Sequence, residues 1–308
     1  MTGDSKKLTN VDVQRLSADS SAESRAEVAE KVAAQFGSQE LSAAERGIAE
    51  EIFRELMSDA EVRVREALAF QLKSSPDLPR DVALSLANDI DSVALPILEF
   101  CEVLSDGDLI EIVGGPHALK QEAIAKRKMV AAPVAQALID TGNDQAVGAL
   151  VENDGAELDE EALSRVIEDY QDSEAVSSAM SKRSDLPIAV SEQLMNVVAQ
   201  QLKSQLANRD DIPEEAIRTL LRQVRDRATS CLLREGCESE EEVDALLAQL
   251  EANGRLSAPM LMEALSEGDL YFFEAGMARL VGIPIENARS LLHDKGELGL
   301  KSLLRAVA

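Results

Sequence analysis

A short helical pattern that is broken at Asp-Leu-Pro recurs along this chain. It is clearest over residues 64–93, VREALAFQLKSSPDLPRDVALSLANDIDSV, and returns over 179–198, AMSKRSDLPIAVSEQLMNVV. Weaker copies occupy residues 123–139 and 207–221. A short apolar helix, a break at proline and a second apolar helix cannot bury their apolar face alone, so neighbouring units must stack. The pattern therefore predicts an all-α fold, an α-solenoid of stacked helical repeats.

The core of such a fold must be aliphatic here. The chain is 45% hydrophobic but only 3% aromatic, and it has no tryptophan. Ala, Leu, Val and Ile suit the close approach of packed helices. No stretch alternates between apolar and polar residues with the period of a strand, so we expect helices throughout.

The chain is strongly acidic along its whole length. It has 57 acidic and 31 basic residues, a net charge of −26, with −11 in residues 1–150 and −15 in residues 151–308. A field of this sign repels nucleic-acid phosphates and anionic lipid surfaces. We therefore expect no membrane partner and disfavour a nucleic-acid partner. The acidity either serves solubility or attracts a basic partner.

The patterning divides the chain into three parts. Residues 1–22 are polar and weakly periodic, which predicts a mobile N-terminal arm. Residues 23–235 carry the helical repeats. Residues 236–308 hold a capping-box pattern at Ser239 and three of the eight Phe and Tyr residues, which predicts a C-terminal helical subdomain or cap.

Capping residues set the predicted helix boundaries. Ser42 and Glu45 form a capping-box pattern that predicts a helix up to about residue 57. Asp59 is the expected N-cap of the next helix, 60–72. Proline fits a helix start because its missing N–H would be unpaired there, as for Pro79, Pro187 and Pro213. The other main predicted helices are 92–103, 106–113, 117–127, 131–140, 145–152, 159–170, 188–206, 214–234 and 239–253.

Cysteine use and hydropathy point to a cytoplasmic protein. Cys101, Cys231 and Cys237 are an odd number at wide spacing, so we expect no disulfide framework. Cys101 lies in the apolar run VALPILEFCEVL and is predicted to be buried and reduced. The start of the chain, MTGDSKKLTNVDVQ, has no apolar signal core, and no uncharged apolar run reaches the ~18 residues of a membrane span.

A basic row is the first candidate binding site. Lys126–Lys128 and Lys182–Arg183 stand 56 residues apart at matching places in related repeats, and matching places line one face of a solenoid. Such a row predicts an anchor for an acidic peptide, a phosphorylated segment or a nucleotide. The alternative is pairing with acidic residues of adjacent repeats, such as Asp154 or Asp185. The candidate residues of the row are Arg63, Arg65, Lys126, Arg127, Lys128, Lys182 and Arg183.

An aromatic cluster, Tyr271, Phe272 and Phe273, is the second candidate site. Successive side chains on a helix turn by about 100°, so three adjacent ones cannot all point inward. Aromatic residues are favoured anchors in protein contacts, which predicts an interface. The alternative is that the cluster seals the C-terminal end of the repeats as a cap, and the two roles are compatible.

The sequence does not indicate an enzyme. His117 follows Gly-Gly-Pro and His293 lies near a helix end, and with scattered cysteines they give no zinc spacing. Glu240, Glu241 and Glu242 lie at a helix start, where the macrodipole favours negative charge. We find no phosphate-binding glycine loop and no nucleophile elbow. We therefore expect no catalytic residue, no cofactor and no metal.

Several motifs resemble a bacterial family. The segment VREALAFQLKSSPDLPRDVALSLANDIDSVALPIL is similar to leucine-rich-variant and HEAT-like helical repeats. LSDGDLIEIV, AIAKR, SKRSDLP and ALSEGDLYFFEAGMARLVGIP follow in that order. Together they resemble the bacterial domain-of-unknown-function family 2336 over roughly residues 45–308. The resemblance implies an α-solenoid of HEAT-like repeats, and it implies no activity, substrate or catalytic residue.

Three functions fit these observations. The first is a non-catalytic interaction scaffold or regulatory adaptor, whose concave surface binds a protein partner. The second is a small-molecule or nucleotide sensor with a pocket between the repeat array and the C-terminal helices. The third is a nucleic-acid-binding helical-repeat protein, which only the basic row supports. The aromatic cluster or an open end of the array also offers a surface for a homodimer.

Overall fold

The chain is all-α, as the repeat pattern predicts. The computed structural model describes residues 21–36, 41–59, 61–183, 186–207, 213–236, 239–293, 299, 301–302 and 305. Within these ranges it contains 17 helices and no strand, apart from one isolated bridge between Val130 and Ala156. Residues 1–20 of the predicted N-terminal arm lie outside the described part of the chain.

The chain forms two compact units. Unit 1 comprises Met1–Asp159 and Ser178–Lys182, and unit 2 comprises Glu160–Ser177 and Arg183–Ala308. The helices of unit 1 are α1 (Ala22–Phe36), α2 (Ala43–Met57), α3 (Val62–Leu72), α4 (Arg80–Ala87), α5 (Asp91–Phe100), α6 (Asp106–Val113), α7 (Ala118–Ala125), α8 (Ala132–Ile139) and α9 (Asp144–Glu152). Those of unit 2 are α10 (Glu160–Asp169), α12 (Ile188–Ala207), α13 (Glu214–Gly236), α14 (Glu240–Ala252), α15 (Ala258–Glu267), α16 (Leu270–Val281) and α17 (Ile285–Leu292). Helix α11 (Glu174–Lys182) contributes residues to both units.

Helix starts follow the local sequence signals. The capping boxes predicted at Ser42 and at Ser239 are both present, each with its glutamate three residues on. A third box, which the sequence reading missed, pairs Ser105 with Asp108 at the start of α6. The prolines of the repeat, Pro79, Pro187 and Pro213, stand immediately before α4, α12 and α13, so each proline marks a helix start.

The prediction that Asp59 caps α3 is wrong. Glu61 occupies the N-cap position and makes no side-chain cap. The Asp59 carboxylate instead accepts from Arg25 of α1, with N···O distances of 2.6 and 3.0 Å, and from the Glu61 main-chain N–H. The hydrogen bond from Arg25 lowers the pKa of Asp59. The carboxylate therefore joins two helices that are distant in sequence rather than starting the nearer one.

In unit 1 each pair of helices packs on the next pair. Helix α1 packs on α3, α3 on α5, α5 on α7, and α7 on α9. The last four of these helices each bury aliphatic side chains completely, among them Leu68, Ile97, Ile124 and Leu150. Burial of such a side chain stabilises the fold by about 1.5–3 kcal/mol, so these contacts hold each pair of helices on the next.

Polar side chains from one pair close the helix ends of the preceding pair. The guanidinium of Arg127 donates to the carbonyl oxygens of Leu98 (2.6 Å) and Cys101 (2.8 Å) at the end of α5. The amide of Asn153 donates in the same way to Ala125 and Arg127 at the end of α7. The last carbonyls of a helix have no partner within it, and these side chains satisfy them. We call these bonds the carbonyl-closing contacts.

Unit 2 contains a long antiparallel hairpin, α12–α13. At one end the fully buried Glu192 binds the Arg255 guanidinium and accepts from the Thr229 hydroxyl over 3.1 Å. A large apolar cluster at this end includes Ile188, Leu233, Leu247, Leu261 and Phe272. At the other end, the described residues include a buried apolar cluster of Ala199, Ile217 and Leu221, with Leu206 partly buried beside it.

The units divide the chain earlier than its patterning predicts. The sequence places a boundary between residues 235 and 236, whereas α10, α12 and α13 share unit 2 with the C-terminal helices. The reason is packing: α10 contacts α12, and α12 contacts both α13 and α14. The Pro-marked repeat therefore continues across a change of unit.

Candidate functional site

Two residues of the basic row, Arg63 and Arg65, lie in ion pairs with neighbouring helices. Arg63 binds Glu23 over 3.0 Å at an exposed position. Arg65 makes a two-pronged contact with Asp89, at 2.5 and 2.9 Å, and also donates to the main-chain oxygen of Asp59. The hydrogen bond from Arg65 lowers the pKa of Asp89. Both contacts correspond to the alternative interpretation, pairing between adjacent repeats.

Lys182 and Arg183 are placed differently from each other. The Lys182 ammonium binds Glu152 over 2.9 Å within unit 1, at an exposed position. Arg183 is half-buried and belongs to unit 2. The acidic partner that the sequence suggested for this part of the row, Asp185, lies outside the described residues.

The three consecutive residues Lys126, Arg127 and Lys128 have different environments. Lys126 is exposed and binds Glu122 one helical turn away, over 2.6 Å. Arg127 is buried and makes the carbonyl-closing contact with the end of α5. Lys128 is exposed, and no described carboxylate forms an ion pair with it. Only the two lysines of this triplet are presented to solvent.

The aromatic cluster lies in the core of unit 2. Phe272 and Phe273 are 1% and 3% exposed and belong to the large apolar cluster. Tyr271 is partly buried, donates its hydroxyl to Asp244 over 3.1 Å, and lies beneath the Arg289 guanidinium at 5.4 Å from the ring centroid. Burial and the bond to Asp244 raise the pKa of Tyr271. Tyr271 is thus the member of the cluster nearest the surface.

Lys126, Arg127 and Lys128 line a groove in unit 1, which we call the unit 1 groove. It crosses the joints after α3, α5 and α7 and has a volume of about 710 Å³. Its lining residues are Ser74, Ser75, Pro76, Glu99, Phe100, Glu102, Leu104, Asp106, Lys126, Arg127, Lys128 and Met129. Arg63, Arg65 and Lys182 are not among them. The groove therefore gathers only the central members of the basic row.

Large apolar side chains are exposed along the border of the groove. Phe70 is 60% exposed, Phe100 44% and Met129 62%. The Lys73 ammonium lies between the two phenyl rings, 4.4 Å from each centroid, and no described carboxylate pairs with it. Such cation–π contacts fix two rings and one cation in a common arrangement. Both rings and the ammonium group thus form one contact at the surface.

A buried hydroxyl in the groove has no partner. Ser75 is 8% exposed, and its Oγ makes no hydrogen bond with any described residue. An unpaired buried polar group of this kind costs roughly 1–3 kcal/mol, a cost that a ligand contact removes. The ionic groups of the groove are divided: Lys126 and Lys128 follow α7, whereas the carboxylates belong to the end of α5 (Glu99), the joint after it (Glu102) and the start of α6 (Asp106). The groove is therefore not a uniformly basic surface.

A second, smaller cleft lies within unit 2, between α13 and α15. Its volume is about 480 Å³, and its lining residues are Gln223, Asp226, Arg227, Ser230, Cys231, Glu263 and Glu267. Among the described residues, no group of three or more His, Cys, Asp or Glu side chains is placed to hold a metal ion. None of the helices that the structure describes has both the length and the apolar character needed to cross a bilayer.

Comparison with protein families identifies the chain. A model of the family described as an uncharacterised protein conserved in bacteria, DUF2336, matches residues 93–308, more than two thirds of the sequence. The chain belongs to the DUF2336 family. The DUF2336 region begins in α5 and includes Phe100 and Lys126–Lys128, whereas Ser75 precedes it. No curated protein and no solved structure matches the chain. The predicted family resemblance is confirmed.

Sequence reasoning missed three residues that line the groove, Ser75, Phe100 and Met129. It also missed Phe70 and Lys73, which adjoin the groove through the contact of Lys73 with Phe100. A signal for Phe70 was available: Leu68, Ala69 and Leu72 form the buried face of α3, and Phe70 is turned about 100° from Ala69. No comparable signal marks Ser75, because its burial depends on the joint between two helices.

Proposed function

We propose that this DUF2336 protein is a non-catalytic cytoplasmic adaptor, and that its unit 1 groove binds an extended peptide segment of a partner protein. The observation that carries the proposal is the exposed apolar border formed by Phe70, Phe100 and Met129. Large apolar side chains beside a concave surface are typical of protein-binding sites. The unpaired Ser75 hydroxyl supports the same conclusion, because a bound segment supplies its missing partner.

The side chains of the groove indicate what kind of peptide segment would bind there. An apolar anchor side chain packs against Phe100 and Met129, where burial contributes about 25 cal/mol per Å² of apolar surface. A carboxylate beside that anchor reaches the ammonium groups of Lys126 and Lys128. Glu102 and Asp106 oppose a phosphate backbone at the same place, which argues against the nucleic-acid alternative.

The alternative function, a small-molecule or nucleotide sensor, has less support than the adaptor, because the α13–α15 cleft is poorly suited to a small ligand. That cleft is lined by polar and ionic side chains with one cysteine. Small-molecule pockets are usually lined mainly by apolar and aromatic groups, with a few polar ones for orientation. The residues that line this cleft give a nucleobase no apolar wall, so the adaptor is the function we propose.

The test is selection from a phage-displayed library of random peptides against the full chain. We expect enriched peptides to combine an apolar residue with neighbouring Asp or Glu. A fluorescein-labelled copy of an enriched peptide is then titrated by fluorescence anisotropy. A Phe100→Asp, Met129→Asp variant should weaken binding by at least about tenfold, and Lys126→Glu, Lys128→Glu by about three- to tenfold, since exposed charges contribute less than buried anchors.

Lys203→Glu is the matched control, because it reverses one exposed lysine on α12 of unit 2 that does not line the groove. It should leave the dissociation constant unchanged. All variants are first compared by circular dichroism to show that they remain helical. A library that yields no enriched peptide, or a peptide whose affinity is the same in all variants, contradicts the adaptor proposal.

A further inference from the structure

We propose, resting on the adaptor function proposed above, that the unit 1 groove reads the order of charges in its partner. The segment that binds there carries two acidic residues about five or six positions apart, with a basic residue between them. Lysines lie at the two ends of the groove, and carboxylates lie between these ends. A segment with the opposite order of charges forms a favourable contact with each of these groups.

Helices α3, α5 and α7 lie side by side with their N-terminal ends together. Arg65, in the first turn of α3, binds Asp89, which precedes α5. Lys120, in the first turn of α7, donates to the main-chain oxygen of the same Asp89 over 2.7 Å. Because α3 packs on α5 and α5 on α7, the C-terminal ends follow in the same order. A segment lying in the groove therefore passes the ends of α3, α5 and α7 in turn.

The sign of the charge alternates along this path. Lys73 is the C-cap of α3 and adjoins the groove through its contact with Phe100. Lys126, the C-cap of α7, and Lys128 line the groove at the other end. Three carboxylates line it at the end of α5, in the joint after α5 and at the start of α6, namely those of Glu99, Glu102 and Asp106. The order is therefore basic, acidic, basic.

Most of these charged groups have no partner in the part of the chain that the structure describes. No described residue forms an ion pair with Lys73, with Lys128 or with any of the three carboxylates. Lys126 differs, since it binds Glu122. Elsewhere in unit 1, ion pairs join carboxylates of other helices or joints to Arg25, Arg46, Arg54, Arg63, Arg65 and Arg80. The groove thus keeps charges of both signs available to a partner.

Two further carboxylates near the ends of the groove leave this order unchanged. Asp77 follows Pro76 at the α3 end, and it binds Arg46 over 2.7 Å. Asp154 is exposed in the joint after α9, but it does not line the groove and forms no ion pair with Lys128. The ammonium groups at both ends therefore remain free to bind the carboxylates of a segment.

Helix packing sets the spacing of the charges in the segment. Neighbouring helices lie about 8–10 Å apart, so the ends of α3 and α7, two steps apart, are separated by about 16–20 Å. An extended segment rises about 3.3 Å per residue and covers this distance in about five or six residues. Its centre lies at the end of α5, where Glu102 and Asp106 face a basic residue and Phe100 contacts the apolar anchor.

The test compares two fluorescein-labelled peptides of identical composition, titrated with the full chain by fluorescence anisotropy. The matched peptide has two glutamates at the spacing given above, with one arginine and one leucine midway between them. The permuted peptide exchanges the arginine with one of the glutamates. We expect the matched peptide to bind about five- to tenfold more tightly, because three exposed ion pairs, each of modest strength, are changed together.

Charge reversal in the groove supplies the decisive comparison. A Glu102→Lys, Asp106→Lys variant should invert the preference, so that the permuted peptide binds at least about threefold more tightly than the matched one. Glu102→Gln, Asp106→Asn, which adds no charge, should make the two affinities nearly equal. The matched control, Glu263→Lys, Glu267→Lys, reverses two exposed carboxylates of α15 that do not line the groove, and it should keep the wild-type preference.

The outcomes separate this inference from the adaptor proposal, once circular dichroism shows equal helix content in all variants. The charge order is overturned if library peptides bind while the matched and permuted peptides bind equally or not at all. It is also overturned if the preference survives both groove variants or is lost equally in the control. In each of these cases the adaptor proposal stands. If no library peptide and no designed peptide binds, both proposals are contradicted.

Discussion

Arg127 donates from Nη2 to the main-chain carbonyl oxygen of Cys101, over 2.8 Å. A second bond runs from Nη1 to Leu98, so one guanidinium closes the end of α5 from the following pair of helices. Burial lowers the pKa of Arg127 and raises that of the Cys101 thiol beside it. A residue that sequence patterning assigns to a binding surface therefore lies inside the repeat.

The first prediction concerns this contact. Arg127→Ala should lower the free energy of unfolding by about 3 kcal/mol, because it leaves buried carbonyl oxygens without donors and a cavity beside them. The measurement is urea denaturation followed by circular dichroism. The neighbouring Lys128→Ala, at an exposed position, should change stability by less than about 0.5 kcal/mol. Equal effects of the two substitutions would show that Arg127 is not structural.

The second prediction concerns Gly155. Its Cα lies so close to the Lys128 carbonyl group that an added Cβ meets main-chain atoms of that residue. Gly155→Ala should therefore destabilise the protein by about 1–3 kcal/mol, since backbone cannot move aside as a side chain can. Gly47→Ala should instead raise the free energy of unfolding by about 0.5–1 kcal/mol, because no neighbouring atom lies where its Cβ would be in α2. Thermal unfolding of both variants gives the comparison.

The third prediction separates the aromatic cluster from an exposed neighbour. Phe272 is 1% exposed in the core of unit 2, and Phe272→Ala should cost about 3–5 kcal/mol. Leu270, two residues before it at the start of α16, is 47% exposed, so Leu270→Ala should cost less than about 1 kcal/mol. Denaturant titration of both variants is the measurement. A small loss for Phe272→Ala would argue against the cluster as the core of this unit.

The fourth prediction concerns acid unfolding. The Asp108 carboxylate accepts from Arg80 at 2.7 and 3.1 Å and from the Ser105 hydroxyl and main-chain N–H. The Arg80 hydrogen bond holds the pKa of Asp108 well below its usual 3.8, although partial desolvation opposes the shift. Folding therefore favours the ionised form of the Asp108 carboxyl group. Its contribution is complete above the unfolded pKa and is lost as pH falls through the lower folded value.

Unfolding free energies measured between pH 5 and about pH 2 test this expectation. The wild type should lose stability more steeply with falling pH than Asp108→Asn, which lacks the titrating group. Arg80→Gln should also flatten the profile, because it removes the main cause of the pKa shift. A wild-type slope that is unchanged in both variants would contradict the assignment.

Local signals in the sequence predicted most of the helical structure. Ser42 and Ser239 begin α2 and α14 as their capping boxes indicate, and α6 has the predicted bounds 106–113. These features depend on residues within a few positions of one another, which a single sequence displays directly. The all-α class follows for the same reason.

The environments of Arg127, Ser75 and Asp59 could not be predicted in this way. Arg127 and Asp59 are bound by groups 26 and 34 residues away, and Ser75 is buried by a joint between helices. Basic and acidic residues have the same local appearance whether they face solvent or close a neighbouring helix. The packing of α10 on α12 could not be predicted either, because the continuous repeat pattern does not reveal which helices pack together.

The carbonyl-closing contacts set the order in which helix ends can be closed while the chain is being translated. The end of α5 is closed by Arg127, which is translated 26 residues after Cys101, and the end of α7 by Asn153, a further 26 residues later. At about 5–20 residues per second, each pair of helices waits on the order of seconds for its final hydrogen bonds after it emerges from the ribosome. During translation the end of α5 is therefore closed before the end of α7, and each of these two ends stays open until the following pair of helices has been made.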